Sequence, residues 1–145
     1  MFEKVFHTEI EIEAGAGRVW EVLTDLPSYT EWNPMIRSAS GELRAGSRLQ
    51  LHFEPAGAKG RDFRPELLVV DPERELRWQG QPGFPKLFES EHTFVIASRE
   101  DGTVRLDHDF IIYGLLAPLV GGRLKASVIG PFNDMNRALK ERAEE

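Results

Sequence analysis

Four histidines and no cysteine set the chemistry open to this chain of 145 residues. Without thiols there is no disulfide, no thiolate metal site and no sulfur nucleophile. Imidazole titrates near neutrality, so a histidine in apolar surroundings is the best candidate for moving a proton or orienting a ligand. His7 and His52 alternate with acids and Gln50, which marks polar, solvated faces. His92 and His108 instead share period-2 sets with Phe88, Phe94 and Ile96, and with Leu106, Phe110 and Ile112. Three roles fit such a pair: buried hydrogen-bonded core residues, donors to a ligand, or a catalytic acid–base pair.

Other chemistries lack their residues. A metal triad of two histidines and one carboxylate needs an acid on the histidines' face. Glu91, Asp107 and Asp109 all have the opposite parity, so no metal is expected. Ser90 lies beside His92 on the same strand, a placement that argues for no activated nucleophile. With so few inward acids, paired carboxylates of the glycosidase kind are unsupported. No cofactor is expected.

Aromatic residues supply the positive signal. Phe53, Phe63, Trp78, Phe88, Phe94 and Phe110 all take the apolar parity of their strands, and Val128, Phe132 and Met135 share a helical stripe. These residues describe either a solid core or the wall of an apolar pocket holding a few polar groups. In the pocket reading they contact the ligand together with His92 and His108. The segment from Gly80 to Pro85 and the turn from Pro55 to Gly60 would rim its mouth.

The elements that must position these groups follow from hydrophobic periodicity. Phe6, Thr8, Ile10 and Ile12 alternate with polar residues as a strand, and Ala14 to Gly17 breaks it. Short helices are expected over Arg18–Leu23 and Pro27–Trp32, the second opened by Asp25 and Pro27 and closed by Asn33-Pro34. Strands follow over Ile36–Gly41, Arg48–Glu54, Arg61–Val70, Arg74–Gln79, Leu87–Ser98 and Thr103–Tyr113. In the Arg61–Val70 strand, Phe63, Leu67 and Val69 are expected to share one face. Opposed residues of an antiparallel pair share a face, and register follows the apolar pattern. A three-residue loop, Glu100-Asp101-Gly102, keeps both apolar sets of the last hairpin inward and puts Gly102 in the left-handed position. It predicts Phe94 opposite His108 and His92 opposite Phe110, with the histidines as diagonal neighbours. From about Leu115 to Glu145 the apolar stripe Val120, Leu124, Val128, Phe132, Met135 and Leu139 predicts one long helix. Gly130-Pro131 predicts a kink or break near Val128 to Pro131, because an interior proline removes the bond to residue 127. A sheet with one apolar face needs a cover, and this helix is the only element large enough.

The totals are those of one domain covering residues 1–145 with a real core. The balance of 18 basic against 24 acidic residues lacks the footprint of a nucleic-acid binder. No apolar run reaches the length of a bilayer span, and the alternating, acidic N-terminal stretch is unlike a signal peptide. The expected location is the cytoplasm and the expected partner a small hydrophobic molecule, with a homodimer left open.

Several strings resemble one superfamily. They are Ile10 and Ile12, Arg18-Val19-Trp20, Asp25-Leu26, Tyr29, then Trp32-Asn33-Pro34; later come Leu76, Trp78 and Gly80, Glu91-His92 with Phe94, Phe110, and Gly114-Leu115-Leu116. The chain is similar over nearly its whole length to the START and Bet v 1-like (SRPBCC) superfamily, and more narrowly to its polyketide cyclase/dehydrase-like branch. The resemblance implies an α+β helix-grip fold: a seven-stranded antiparallel sheet curled around a long C-terminal helix, two short helices after the first strand, and a cavity between sheet and helix. Such proteins bind sterols, lipids, polyketides or plant hormones, some catalyse ring closure or dehydration, and some assist chaperones. The resemblance therefore implies a hydrophobic-ligand binder. The alternative is a cyclase or dehydratase with His92 and His108 as proton shuttles. A chaperone-assisting module is weaker, since the outer strand positions are mostly charged.

Overall fold

The computed structural model describes residues 2–80 and 88–145. Its centre is the hairpin of β7 (Glu89–Ser98) and β8 (Val104–Tyr113), flanked by β1 (Glu3–Ile12) on one side and β6 (Glu75–Gln79) and β5 (Glu66–Asp71) on the other. The order β1-β8-β7-β6-β5 makes one five-stranded antiparallel sheet, and β2 (Ile36–Ser40), β3 (Gln50–Phe53) and β4 (Arg61–Phe63) make a second, three-stranded one. The hairpin register is the one the apolar pattern demands: Phe94 faces His108, His92 faces Phe110, and Gly102 has φ 86°.

The expected single strand Arg61–Val70 is two strands here, which divides the expected seven-stranded sheet into two sheets. Arg64-Pro65 lies between them; proline has no N–H for a ladder and restricts the residue before it. The sheets stay connected at this corner, where Leu49 N–H donates to the Pro65 carbonyl (2.9 Å) and Leu67 N–H to that of Ser47 (2.8 Å). A second irregularity follows. The β5–β6 register shifts between Leu67 and Val69, so Val69 pairs with Arg77 and Val70 with Leu76. The bulge exchanges parity, so it is Val70, not the expected Val69, that packs on the core.

After β1 come α1 (Ala16–Thr24), a 3-10 turn at Leu26–Ser28 and α2 (Tyr29–Trp32). The aromatic string here is structural. Tyr29 is fully buried and its hydroxyl donates to the Leu23 carbonyl at 2.5 Å. Trp32 packs edge-on against it, with ring centroids 5.1 Å apart. Asn33 Oδ1 accepts from the N–H groups of Met35 and Ile36 (2.9 and 2.8 Å), which turns the chain into β2.

The last element, α3 (Ala117–Glu144), is helical throughout, Pro131 included, so no break occurs there. Its burial is uneven. Val128, Phe132, Met135, Leu139 and Ala143 are buried, whereas before Val128 only Ala117 and Gly121 are. Leu115 and Leu116 precede the helix and are exposed. Its C-terminal end is fastened: Arg18 donates to the Ala143 and Arg142 carbonyls (3.3 and 2.9 Å), satisfying acceptors a helix end leaves open.

Candidate ligand-binding site

Few side chains of α3 before Val128 are buried, and space remains beneath residues 124–132. A cavity of about 290 Å³ opens there, bounded by β3, β4, β6, β7, β8 and α3. Its wall is mostly apolar. Phe53 and Phe63 meet edge to face, 5.6 Å between centroids, and Trp78, Phe88, Phe110 and Phe132 complete the aromatic lining. Four polar or charged side chains reach it: Arg61, Ser90, His92 and Ser127. The Arg61 guanidinium lies 4.9 Å from the Phe63 ring centre, a cation–π contact at the wall.

Two other hollows differ in character. One, about 270 Å³, is lined mainly by charged and polar groups around Arg18, Asp25 and Arg142. The other, about 300 Å³, lies between Pro55–Ala58 and the Gly130-Pro131 stretch. The turn expected to rim the apolar mouth therefore faces this second hollow instead. Of the other expected rim segment, Gly80 lines the cavity, and residues 81–87 lie outside the described residues.

His92 sits in the cavity wall among aromatic rings, stacked on Phe132 at 4.7 Å and Phe94 at 4.9 Å and tilted against Trp78 at 4.6 Å between centroids. Its Nε2 is 2.6 Å from His108 Nε2. His108 Nδ1 is 2.6 Å from Asn136 Oδ1, Asn136 Nδ2 donates to Thr8 Oγ1 at 2.9 Å, and Thr8 Oγ1 donates to the His108 carbonyl at 2.5 Å. This closed set joins β1, β7, β8 and α3. Burial pushes the His92 imidazolium well below the usual 6.5, and proximity to His108 pushes the same way. Burial likewise takes His108 down to about 3, against the opposing hydrogen bond to Asn136 Oδ1. Both rings are neutral at physiological pH.

The expected contact residues divide by depth. Phe53, Phe63, Trp78, Phe88, His92, Phe110, Val128 and Phe132 line the cavity. Phe94, His108 and Met135 do not; each is fully buried behind it, where α3 closes on the sheet. Alternation reports the face of a strand, not how near the helix comes at that point. Arg61 escaped the sequence reading although it shares parity with Phe63. Thr8 was placed inward without a role, and Asn136, one helical turn beyond Phe132, went unnoticed. Ser127 and Leu124 enter because the cavity lies under the loosely packed half of the helix.

His7 and His52 are on the outer faces. His7 bridges Asp109 and Glu9 (2.6 and 3.0 Å), and His52 bridges Asp62 and Glu54 (2.8 and 3.3 Å). Those carboxylates raise both imidazoles above their ordinary value. His7, Glu9 and Asp107 bring possible metal-ligating atoms within 4.8 Å of one another, but His7 and Arg105 already pair with these carboxylates.

Antiparallel sheets, a covering C-terminal helix and an apolar cavity between them define the helix-grip class. The chain belongs to the family described as polyketide cyclase / dehydrase and lipid transport, which it matches over residues 4–144. No curated protein matches its sequence. Among solved structures it is similar to a START superfamily protein from Mycobacterium smegmatis, with 22% identity over 97% of both chains and a TM-score of 0.76. It is also similar to the Zhui aromatase/cyclase of a Streptomyces species, with 17% identity over 99% of this chain and 94% of the other and a TM-score of 0.75. Norcoclaurine synthase from Thalictrum flavum, in complex with dopamine and hydroxybenzaldehyde, has 16% identity over 97% of this chain and 86% of its own, with a TM-score of 0.71. Among the described residues, no helix is long and apolar enough to cross a membrane.

Proposed function

We propose that this protein binds a small hydrophobic, aromatic molecule in the cavity between the sheets and α3. The observation that carries this reading is the cavity of about 290 Å³ walled by six aromatic rings and only four polar side chains. That composition suits stacking and dispersion, with few groups to fix orientation. Family membership supports a hydrophobic ligand, and the similar solved structures include an aromatase/cyclase and a norcoclaurine synthase in complex with dopamine and hydroxybenzaldehyde. A fluorescent apolar probe is expected to bind with one-to-one stoichiometry and to be displaced by aromatic polyketides or lipids. Val128→Trp, which fills the cavity from the helix side, should weaken that binding at least tenfold in a variant that circular dichroism shows to be folded. Unchanged probe binding in the variant would place the probe elsewhere.

One observation favours a second reading, a cyclase or dehydratase. His92 stands at the wall with His108 hydrogen-bonded behind it, the arrangement a proton relay requires. Against it, burial leaves both imidazoles weak bases, and a general base works best with a pKa near the operating pH. Turnover of an enolisable polyketide, lost in His92→Gln without a large drop in melting temperature, would establish the enzyme instead.

A further inference from the structure

The buried hydrogen bonds behind His92 run in one direction, and each proton in them can be placed. Thr8 Oγ1 lies 2.5 Å from the His108 carbonyl oxygen. A carbonyl has no proton to give, so the threonine hydroxyl proton is committed there. Oγ1 has only lone pairs left, and Asn136 must therefore approach it with Nδ2–H, at 2.9 Å. The amide oxygen then faces His108 Nδ1 at 2.6 Å, and that nitrogen must carry the proton. In a neutral imidazole the other nitrogen is bare. His108 Nε2 is therefore an acceptor, and His92 Nε2, 2.6 Å away, must be its donor. His92 is neutral too, so its Nδ1 keeps a lone pair. No described residue bonds that atom, although the residue is only 4% exposed and forms part of the cavity wall.

We propose that the cavity selects, among small aromatic molecules, those that carry a hydroxyl able to donate to His92 Nδ1, such as a phenol, a naphthol or an enol. The proposal rests on the ligand-binding reading above and specifies its ligand class. It also reverses the expectation that the histidines offer donors. Thr8, Asn136 and His108 are positioning residues: they touch no ligand, and they set which nitrogen of His92 is bare. A methyl ether or ketone of the same shape would place its oxygen lone pairs against the nitrogen lone pair and leave a buried acceptor unpaired. Discrimination against it should be about tenfold, the size of one net hydrogen bond.

Long-range proton–nitrogen NMR of the full chain, without ligand, is expected to show His92 protonated at Nε2 only and His108 at Nδ1 only. A proton on His92 Nδ1 overturns the proposal. Calorimetric titration with naphthol and with its methyl ether should then give about tenfold tighter binding of naphthol. In His92→Phe, which keeps an aromatic ring, both compounds should bind with equal affinity. Equal binding to the native protein, or a naphthol preference that persists in a folded His92→Phe, overturns the proposal while leaving the ligand-binding reading intact. Failure of both compounds to bind removes that reading and the proposal with it, and the NMR result still reports the direction of the relay.

Discussion

At the scale of single residues, the His92–His108 pair should set how stability responds to acid. Both imidazoles are held below 6.5 in the folded protein, His108 at about 3, while in the unfolded chain they titrate near 6.5. Beneath 6.5 the unfolded state binds protons that the folded state refuses. The contribution of the pair is complete above that pH and is lost as pH falls toward the folded values. Each pH unit in this window costs up to about 1.4 kcal/mol per buried imidazole. His7 and His52 have the opposite sign: their raised values add stability at low pH and lose it as pH rises through them. Both are exposed, so that effect is small and salt-screened. Glu9 and Glu144 are held below 4.5 and act only further down. The melting temperature should therefore fall between pH 6.5 and 4.5, and a folded His92→Phe/His108→Leu double variant should lose most of that slope. An unchanged slope in the variant would assign it to other groups.

At the scale of elements, α3 has two halves with different work. After Val128 it fills the core between α1 and the five-stranded sheet, and before Val128 it spans the cavity edge with few buried side chains. Gly121-Gly122 add flexible positions to that first half, and just past the division Pro131 leaves the Ser127 carbonyl without its helical donor. Local opening follows sparse apolar contact. Amide hydrogen exchange should be faster over residues 117–127 than over 132–143, and an aromatic ligand touching Leu124, Ser127 and Val128 should slow the first stretch selectively. Equal protection of both halves, with and without ligand, would leave Pro131 as a matter of shape alone. The break of the expected Arg61–Val70 strand belongs to this scale as well. Pro65 was visible, but its consequence, a strand passing from one sheet to another, depends on which partner each half finds.

At the scale of the whole molecule, the two sheets, α1 and α3 share one contiguous core, from Phe6 and Ile12 through Leu51 and Leu67 to Leu139. A domain of this size with one core should unfold in a single cooperative step. Near- and far-ultraviolet circular dichroism should give coincident thermal transitions, and a separate early transition would show the three-stranded sheet melting alone. Except past the bulge in β5, where Val70 replaces Val69 on the core, the sequence by itself determined the faces. Period-2 alternation and the loop Glu100-Asp101-Gly102 specify the β7–β8 register, since a slip by one residue would turn every apolar side chain of that hairpin to water. Helical spacing specifies which side of α3 meets the sheets, and the aromatic string around Tyr29 and Trp32 marks the superfamily. What tertiary structure alone decided is depth. Phe94, His108 and Met135 have the same sequence signature as Phe110, His92 and Phe132, yet the first three are sealed in the core and the second three face the cavity. The difference is the distance between helix and sheet at each level, a sum of many packing contacts that no local pattern encodes. The same closure brings Asn136 of α3 and Thr8 of β1 onto His108, and with it decides which nitrogen of His92 is left bare.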